Sequence, residues 1–118
     1  MKRLSLGAEW FVDAHACDAA ALRSRDVLAG VFERIVEELS LHPVGGAQWR
    51  VFPGGGGVTG LLLLEESHLA CHTFPEESFA AFDLYCCRPR DAWPWSDRLS
   101  LLLGAGRVTV RYVTRGEG

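Results

Sequence analysis

The chain has 118 residues, a length that suits one compact domain with one core, and its 48% hydrophobic and 23% charged residues are ordinary for a globular protein. A net charge of −3 with no basic block argues against nucleic acid or an acidic membrane surface as a partner. The start, Met1-Lys2-Arg3-Leu4-Ser5-Leu6-Gly7, lacks the apolar run of a signal peptide, and no stretch is long enough to span a bilayer, so a cytoplasmic location is the expectation.

Trp10-Phe11-Val12 predicts a short first strand. Asp18 is placed to cap a helix opening at Ala19, and Val27, Leu28, Val31, Phe32, Ile35, Val36 and Leu39 then recur at helical spacing. Arg25, Glu33, Arg34, Glu37 and Glu38 fall on the other side. This predicts one long amphipathic helix lying on something flat and ended by Pro43, Gly45 and Gly46. Gln48 to Phe52 reads as a second strand and Pro53 with Gly54 to Gly57 as a loop. Val58 to Leu64 is leucine-rich enough for a helix, but its length and glycine boundary favour a buried strand. Extended segments follow at His68 to Phe74, closed by Pro75, and at Phe79 to Tyr85. Pro94 and Trp95 open a short helix through Leu103, stopped by Gly104 and Gly106. Val108, Val110 and Tyr112 alternate with Thr109 and Arg111, which predicts a last strand with one face in the core.

This order predicts an α+β fold, a two-layer sandwich in which an antiparallel sheet carries two helices on one face, spanning residues 1–118 as a single domain. The other sheet face is apolar in places, around Val58 to Leu64, and a second copy of the chain could cover it as a homodimer.

Three local features stand apart from packing: the polar cluster Glu65-Glu66-Ser67-His68 set against an apolar strand, His72 four residues beyond His68, and the pair Cys86-Cys87 at a strand end. On an extended chain His68 and His72 share a side, whereas Cys86 and Cys87 point to opposite faces. Taken singly, Ser67 also fits a turn hydroxyl, the histidines fit half-exposed sheet positions, and a cysteine fits core filler. The four cysteines, Cys17, Cys71, Cys86 and Cys87, contain no C-x-x-C and should be thiols in a reducing compartment. A zinc site from His68, His72, Cys71 and Cys87 suits the ligand types, but Cys71 should face away from His72, so no metal is expected.

The run Glu66-Ser67-His68-Leu69-Ala70-Cys71-His72-Thr73-Phe74-Pro75-Glu76 resembles the self-processing segment of the bacterial S-adenosylmethionine decarboxylase proenzymes. Gly57-Val58-Thr59-Gly60 is similar to that family's Gly-Val-Ser-Gly, and Ala80-Ala81-Phe82-Asp83-Leu84-Tyr85-Cys86-Cys87 to its Ala-Ala-Val-Asp-hydrophobic-Phe-Thr-Cys. The resemblance covers nearly the whole chain. It implies cleavage between Glu66 and Ser67 by attack of the Ser67 hydroxyl on the Glu66 carbonyl. Elimination and hydrolysis would then leave a pyruvoyl group at the new N-terminus of an α chain, residues 67–118, beside a β chain, residues 1–66.

That group would condense with the substrate's amine as a Schiff base and draw electrons out of the departing carboxylate, as pyridoxal phosphate does. His72 matches the family's processing histidine, and Thr59 stands where the family has a processing serine, with His68 beside the cut as support. Cys87 matches the acid that reprotonates the product, while Cys86 replaces a threonine. Phe52 and Phe74 match two aromatic residues that sandwich adenine, and Glu76 a carboxylate that binds ribose.

The sequence departs from the family in the four-glycine loop after Pro53 and in Arg88-Pro89-Arg90, which replaces a glycine after Cys87. The resemblance implies decarboxylation of S-adenosylmethionine for polyamine (spermidine) synthesis. Arginine or ornithine is the alternative substrate, and an unprocessed regulatory homologue the non-catalytic one.

Overall fold

The computed structural model describes residues 6–116. Six strands form one antiparallel sheet: β1 (Gly7–His15), β2 (Gln48–Val51), β3 (Val58–Leu64), β4 (Ser67–Phe74), β5 (Phe79–Cys86) and β6 (Arg107–Arg115), in the spatial order β2-β3-β4-β5-β1-β6. Three helices, α1 (Ala19–Leu22), α2 (Arg25–Glu38) and α3 (Trp95–Leu103), supply the second layer. None of the described helices is long and apolar enough to cross a membrane.

Alternation sorts the side chains of every central strand. Trp10, Val12 and Ala14 from β1, Leu62 and Leu64 from β3, Leu69 and Cys71 from β4, and Phe82, Leu84 and Cys86 from β5 point into the core. They meet Leu28, Val31, Phe32 and Ile35 of α2 and Trp95, Leu99 and Leu103 of α3. The helical spacing seen in the sequence is this stripe. Burying one such leucine or isoleucine fully contributes about 1.5–3 kcal/mol.

The expected single long helix is two. Asp18 caps α1 by accepting from the Ala20 N–H at 3.1 Å, but the chain leaves helix at Arg23. Ser24 then caps α2 afresh, its Oγ accepting from the Val27 N–H at 3.2 Å. The break frees the Arg23 guanidinium to donate to the Gly55 carbonyl at 3.0 Å, tethering the four-glycine loop. The second helix ends at Glu38, before Pro43; Ser40 at φ 54 turns the chain away.

The last strand also departs from expectation. Val110 and Tyr112 sit on the helix side of β6, opposite Val12 and Trp10, yet they are 42% and 56% exposed. β6 is an edge strand, and there the Tyr112 ring packs on Trp10, centroids 4.9 Å apart, while much of the side chain stays open.

Two glycines of the Gly57-Val58-Thr59-Gly60 motif have packing reasons. A Cβ on Gly57 would collide with the Thr73 carbonyl oxygen, and one on Gly60 with the Trp49 ring. The opposite sheet face is open. Leu61 and Leu63 are 52% and 59% exposed there, alongside polar and aromatic side chains of β1, β4 and β5.

Candidate active site

The hairpin joining β3 to β4 pairs Leu64 with Ser67 and leaves only Glu65 and Glu66 in the turn. Favoured two-residue hairpin turns take positive φ at the first central residue or at both. Here only the second has it: Glu66 lies at φ 60, one of four non-glycine residues in the left-handed region among those described. A side chain there is disfavoured by about 1–2 kcal/mol. The strain falls on the residue whose carbonyl precedes Ser67, and strained backbone gathers at functional sites.

Register then brings the thiols alongside. Ser67 pairs with Cys86 across β4 and β5, so the serine and the end of β5 are neighbours. Ser67, Cys86 and Cys87 line one cavity of about 310 Å³ with Glu65, Glu66, Arg88 and Arg90. The two cysteines differ in surroundings. Cys86 is 2% exposed, and burial pushes its thiol up against the opposing pull of the Arg90 guanidinium beside it. Cys87 is half-buried and hydrogen-bonds with the Tyr85 side chain. Cys71 lies wholly inside the core, its thiol pushed up to about 12 by burial. Because Cys71 faces the helices and His72 is exposed on the other side, the structure does not gather the four residues weighed for zinc.

The Ser67 hydroxyl donates to the Glu65 carbonyl at 3.2 Å. Arg88 grips the Glu66 carboxylate with Nε at 2.9 Å and Nη2 at 3.4 Å. The residues present fit a self-made carbonyl cofactor at position 67: a half-exposed hydroxyl beside a strained peptide, with thiols at one wall.

His72 and Thr59 lie elsewhere. They face each other across β3 and β4, with Thr59 Oγ1 3.2 Å from His72 Nδ1, on the open side of the sheet. His72 stands five positions beyond Ser67 along the extended strand, about 16 Å at about 3.3 Å per residue. Phe52 and Phe74, 45% and 44% exposed, belong to that same far end. The Arg50 guanidinium sits 5.2 Å from the Phe52 ring centre, and Phe74 packs against Phe79. Glu76 is exposed in the single turn of 3-10 helix Pro75–Glu77. One chain therefore carries two clusters, one at each end of the β3–β4 hairpin.

The sequence model of the S-adenosylmethionine decarboxylase family matches residues 8–116. This chain belongs to the S-adenosylmethionine decarboxylase family. It is 32% identical over 117 residues to the S-adenosylmethionine decarboxylase proenzyme of Caldicellulosiruptor saccharolyticus, covering 95% of this chain and 90% of that one. It is also 37% identical over 95 residues to the arginine decarboxylase proenzyme of Aeropyrum pernix, covering 78% and 70%. The crystal structure of the adenosylmethionine decarboxylase from Aquifex aeolicus superposes with a TM-score of 0.80 over 98% of this chain and 95% of that one, at 24% identity, which establishes the shared fold.

Within this member of the family, sequence reasoning missed a carboxylate pair. Glu9 on β1 and Asp83 on β5 both face the open side of the sheet. Asp83 is pushed up to about 7 by burial, and further by its hydrogen bond to Glu9 and the charge there. Glu9, 6% exposed, is held by Arg115 at 2.8 Å, and His68 Nε2 lies 4.0 Å from Asp83 while its ring stacks on Tyr85. The available signal was an acidic residue at an outward position in each of two apolar strands; their pairing needed the register.

Proposed function

We propose that this chain matures by breaking its own Glu66–Ser67 bond and then decarboxylates S-adenosylmethionine. Support comes above all from the register that sets Ser67, behind a strained Glu66, beside Cys86 and Cys87 in one cavity. The half-exposed Ser67 hydroxyl is the nucleophile and the Glu66 carbonyl its target. A pyruvoyl group at residue 67 would supply an electron sink for loss of carbon dioxide. Cys87 delivers the proton to the product carbon: it is accessible, and its partner Tyr85 orients it. The Cys86 thiol, buried and pushed up, is the poorer candidate.

His72 serves as base, with Thr59 fixing its ring through Nδ1. Because some 16 Å of strand keep it from its own Ser67, we assign it to the Ser67 of a second copy. Two sheets packed by their open faces around a twofold axis would lay the His72 end of one over the Ser67 end of the other. Exposed Leu61, Leu63 and Phe74 supply apolar surface for that contact. The far cluster brings what a sulfonium nucleoside requires: Phe52 and Phe74 as flat faces for stacking and cation–π attraction, and Glu76 as an acceptor for ribose hydroxyls.

Intact-mass spectrometry tests the maturation. Two fragments, the larger N-terminal one ending at Glu66 and the other starting with a ketoacid, are the expected products; a lasting single species of 13.0 kDa would refute the proposal. The likeness to the Aeropyrum pernix arginine decarboxylase proenzyme supports a second reading of the substrate alone. Release of carbon dioxide from S-adenosylmethionine, arginine and ornithine in parallel separates the two.

A further inference from the structure

The turn end of the sheet holds a cation that the proposed chemistry has not yet employed. Arg90 follows β5, and its Nη1 donates to the Leu39 carbonyl at the C-cap of α2, 3.2 Å away. Its Nε is buried without a hydrogen-bond partner, and among the described residues no carboxylate pairs with it. Arg90 hydrogen-bonds to the Leu39 carbonyl and the Cys86 thiol, neither of them an anion, which compensates a part-buried guanidinium poorly. Arg88, two residues earlier, already holds the side chain of Glu66 in a two-pronged grip. Both arginines line the cavity that contains Ser67. Glu65 and Glu66 share that cavity, but only the Arg88–Glu66 pair closes among the described residues, which leaves the Arg90 guanidinium without a carboxylate against it.

Cleavage makes a new carboxylate inside the cavity. When the Ser67 oxygen bonds to the Glu66 carbonyl carbon and the C–N bond breaks, the hydroxyl proton passes to the freed amine and the chain becomes an ester. A base then removes the Ser67 α-proton. Its electron pair forms the Cα=Cβ bond, the Cβ–O bond breaks, and Glu66 departs as a carboxylate carrying the former serine oxygen. Water hydrolyses the remaining enamine with loss of ammonia. The leaving group of the second step is therefore a carboxylate on Glu66, and a positioned cation stabilises it as its charge develops.

The new chain end cannot wander. The Glu65 N–H donates to the His42 carbonyl at 2.8 Å, the Val44 N–H to Leu63 at 2.9 Å, and Pro43 bridges to Leu64. Only Glu66 is released, and leaving φ 60 relieves its strain.

We propose that Arg90, aided by Arg88, receives the carboxylate that Glu66 becomes, stabilising it as it leaves and then holding the cut end clear of residue 67. This rests on cleavage at Glu66–Ser67. The test follows protein freshly made by cell-free synthesis, using intact mass and hydroxylamine, which splits an ester but not an amide.

Wild type should pass to fragments with little ester. Arg90→Gln should accumulate a full-length species that hydroxylamine cuts before residue 67, with elimination slowed about tenfold or more. Arg90→Lys should recover most of the rate, and Arg88→Gln should show a smaller slowing in the same direction. Fragments appearing at the wild-type rate in both glutamine variants, without trapped ester, would overturn the proposal. A raised KM for substrate with unchanged maturation would likewise overturn it, assigning the arginines to the substrate's carboxylate. Should Arg90→Gln fail to fold, Arg88→Gln decides alone, since that side chain is 69% exposed and unimportant to packing. A wild type that never cuts sinks the cleavage reading itself, and this proposal with it.

Discussion

The two ends of the β3–β4 hairpin are built on opposite principles. At the far end, Thr73 is buried and its Oγ1 accepts from the Val58 N–H at 2.8 Å and donates to the Leu22 carbonyl at 2.7 Å. One hydroxyl thus ties β4 to β3 and to α1, and Gly57 lets the strands close around it. At the turn end, the Ser67 hydroxyl makes one exposed bond at 3.2 Å, the preceding residue is strained, and the nearest ion pair is solvent-facing. A hydroxyl that is to react must be left weakly held; one that is to hold the fold must be fully satisfied. The difference between Ser67 and Thr73 is one of surroundings rather than of functional group.

Ser67→Ala is the largest expected break in that comparison. It should abolish fragments and activity together while leaving a folded chain, seen as one band on a denaturing gel with an unchanged circular dichroism spectrum. Cys87→Ala comes next: the chain should still cut itself, with turnover down about a hundredfold or more for loss of a positioned acid. A fully active Cys87→Ala beside an inactive Cys86→Ala would transfer the proton to the buried thiol.

At the far end the expected effect is on stability. Thr73→Val leaves the Val58 N–H and the Leu22 carbonyl without their buried partner and should destabilise by about 1–3 kcal/mol in urea titrations. Arg88→Ala at the turn end should change stability by less than about 0.5 kcal/mol, because its ion pair is solvent-exposed. Equal losses in the two variants would erase the contrast.

Much of the fold was legible in the sequence, for identifiable reasons. Asp18 before an alanine run and Pro94 before Trp95 marked helix starts through local chemistry, and the short length of Val58–Leu64 outweighed its leucines. The break at Arg23–Ser24 was overlooked because helical spacing persists on both sides of it; its local mark is Ser24, a serine placed to cap a fresh helix, while the Arg23–Gly55 contact across 32 residues follows from the break. Alternation in β6 correctly gave which side Val110 and Tyr112 face, but not that β6 would lie at the edge of the sheet. At the site, adjacent letters showed Glu66-Ser67 and Cys86-Cys87, and a family resemblance gave them roles. That the two segments are neighbours is a fact of register. The Glu9–Asp83 pair and the inward turn of Arg90 depend likewise on contacts between distant segments, which no local pattern announces.

That carboxylate pair yields the mildest prediction. Asp83 is faced by Glu9, His68, Tyr85 and, through Glu9, by Arg115. Its ordinary value of 3.8 rises to about 7, first through burial and then through Glu9, so the folded chain binds this proton more tightly than the unfolded one. Stability from this group is therefore fully present below about pH 4 and is lost as pH climbs through the window up to about 7. Asp83→Asn keeps a neutral donor beside Glu9 at every pH. The melting temperature of the variant should gain on that of the wild type as pH rises from 4 to 7 and run parallel to it above. A wild type that instead gains on Asp83→Asn over that interval would mean that the carboxylate is stabilised in its charged form, with His68 rather than Glu9 as its governing neighbour.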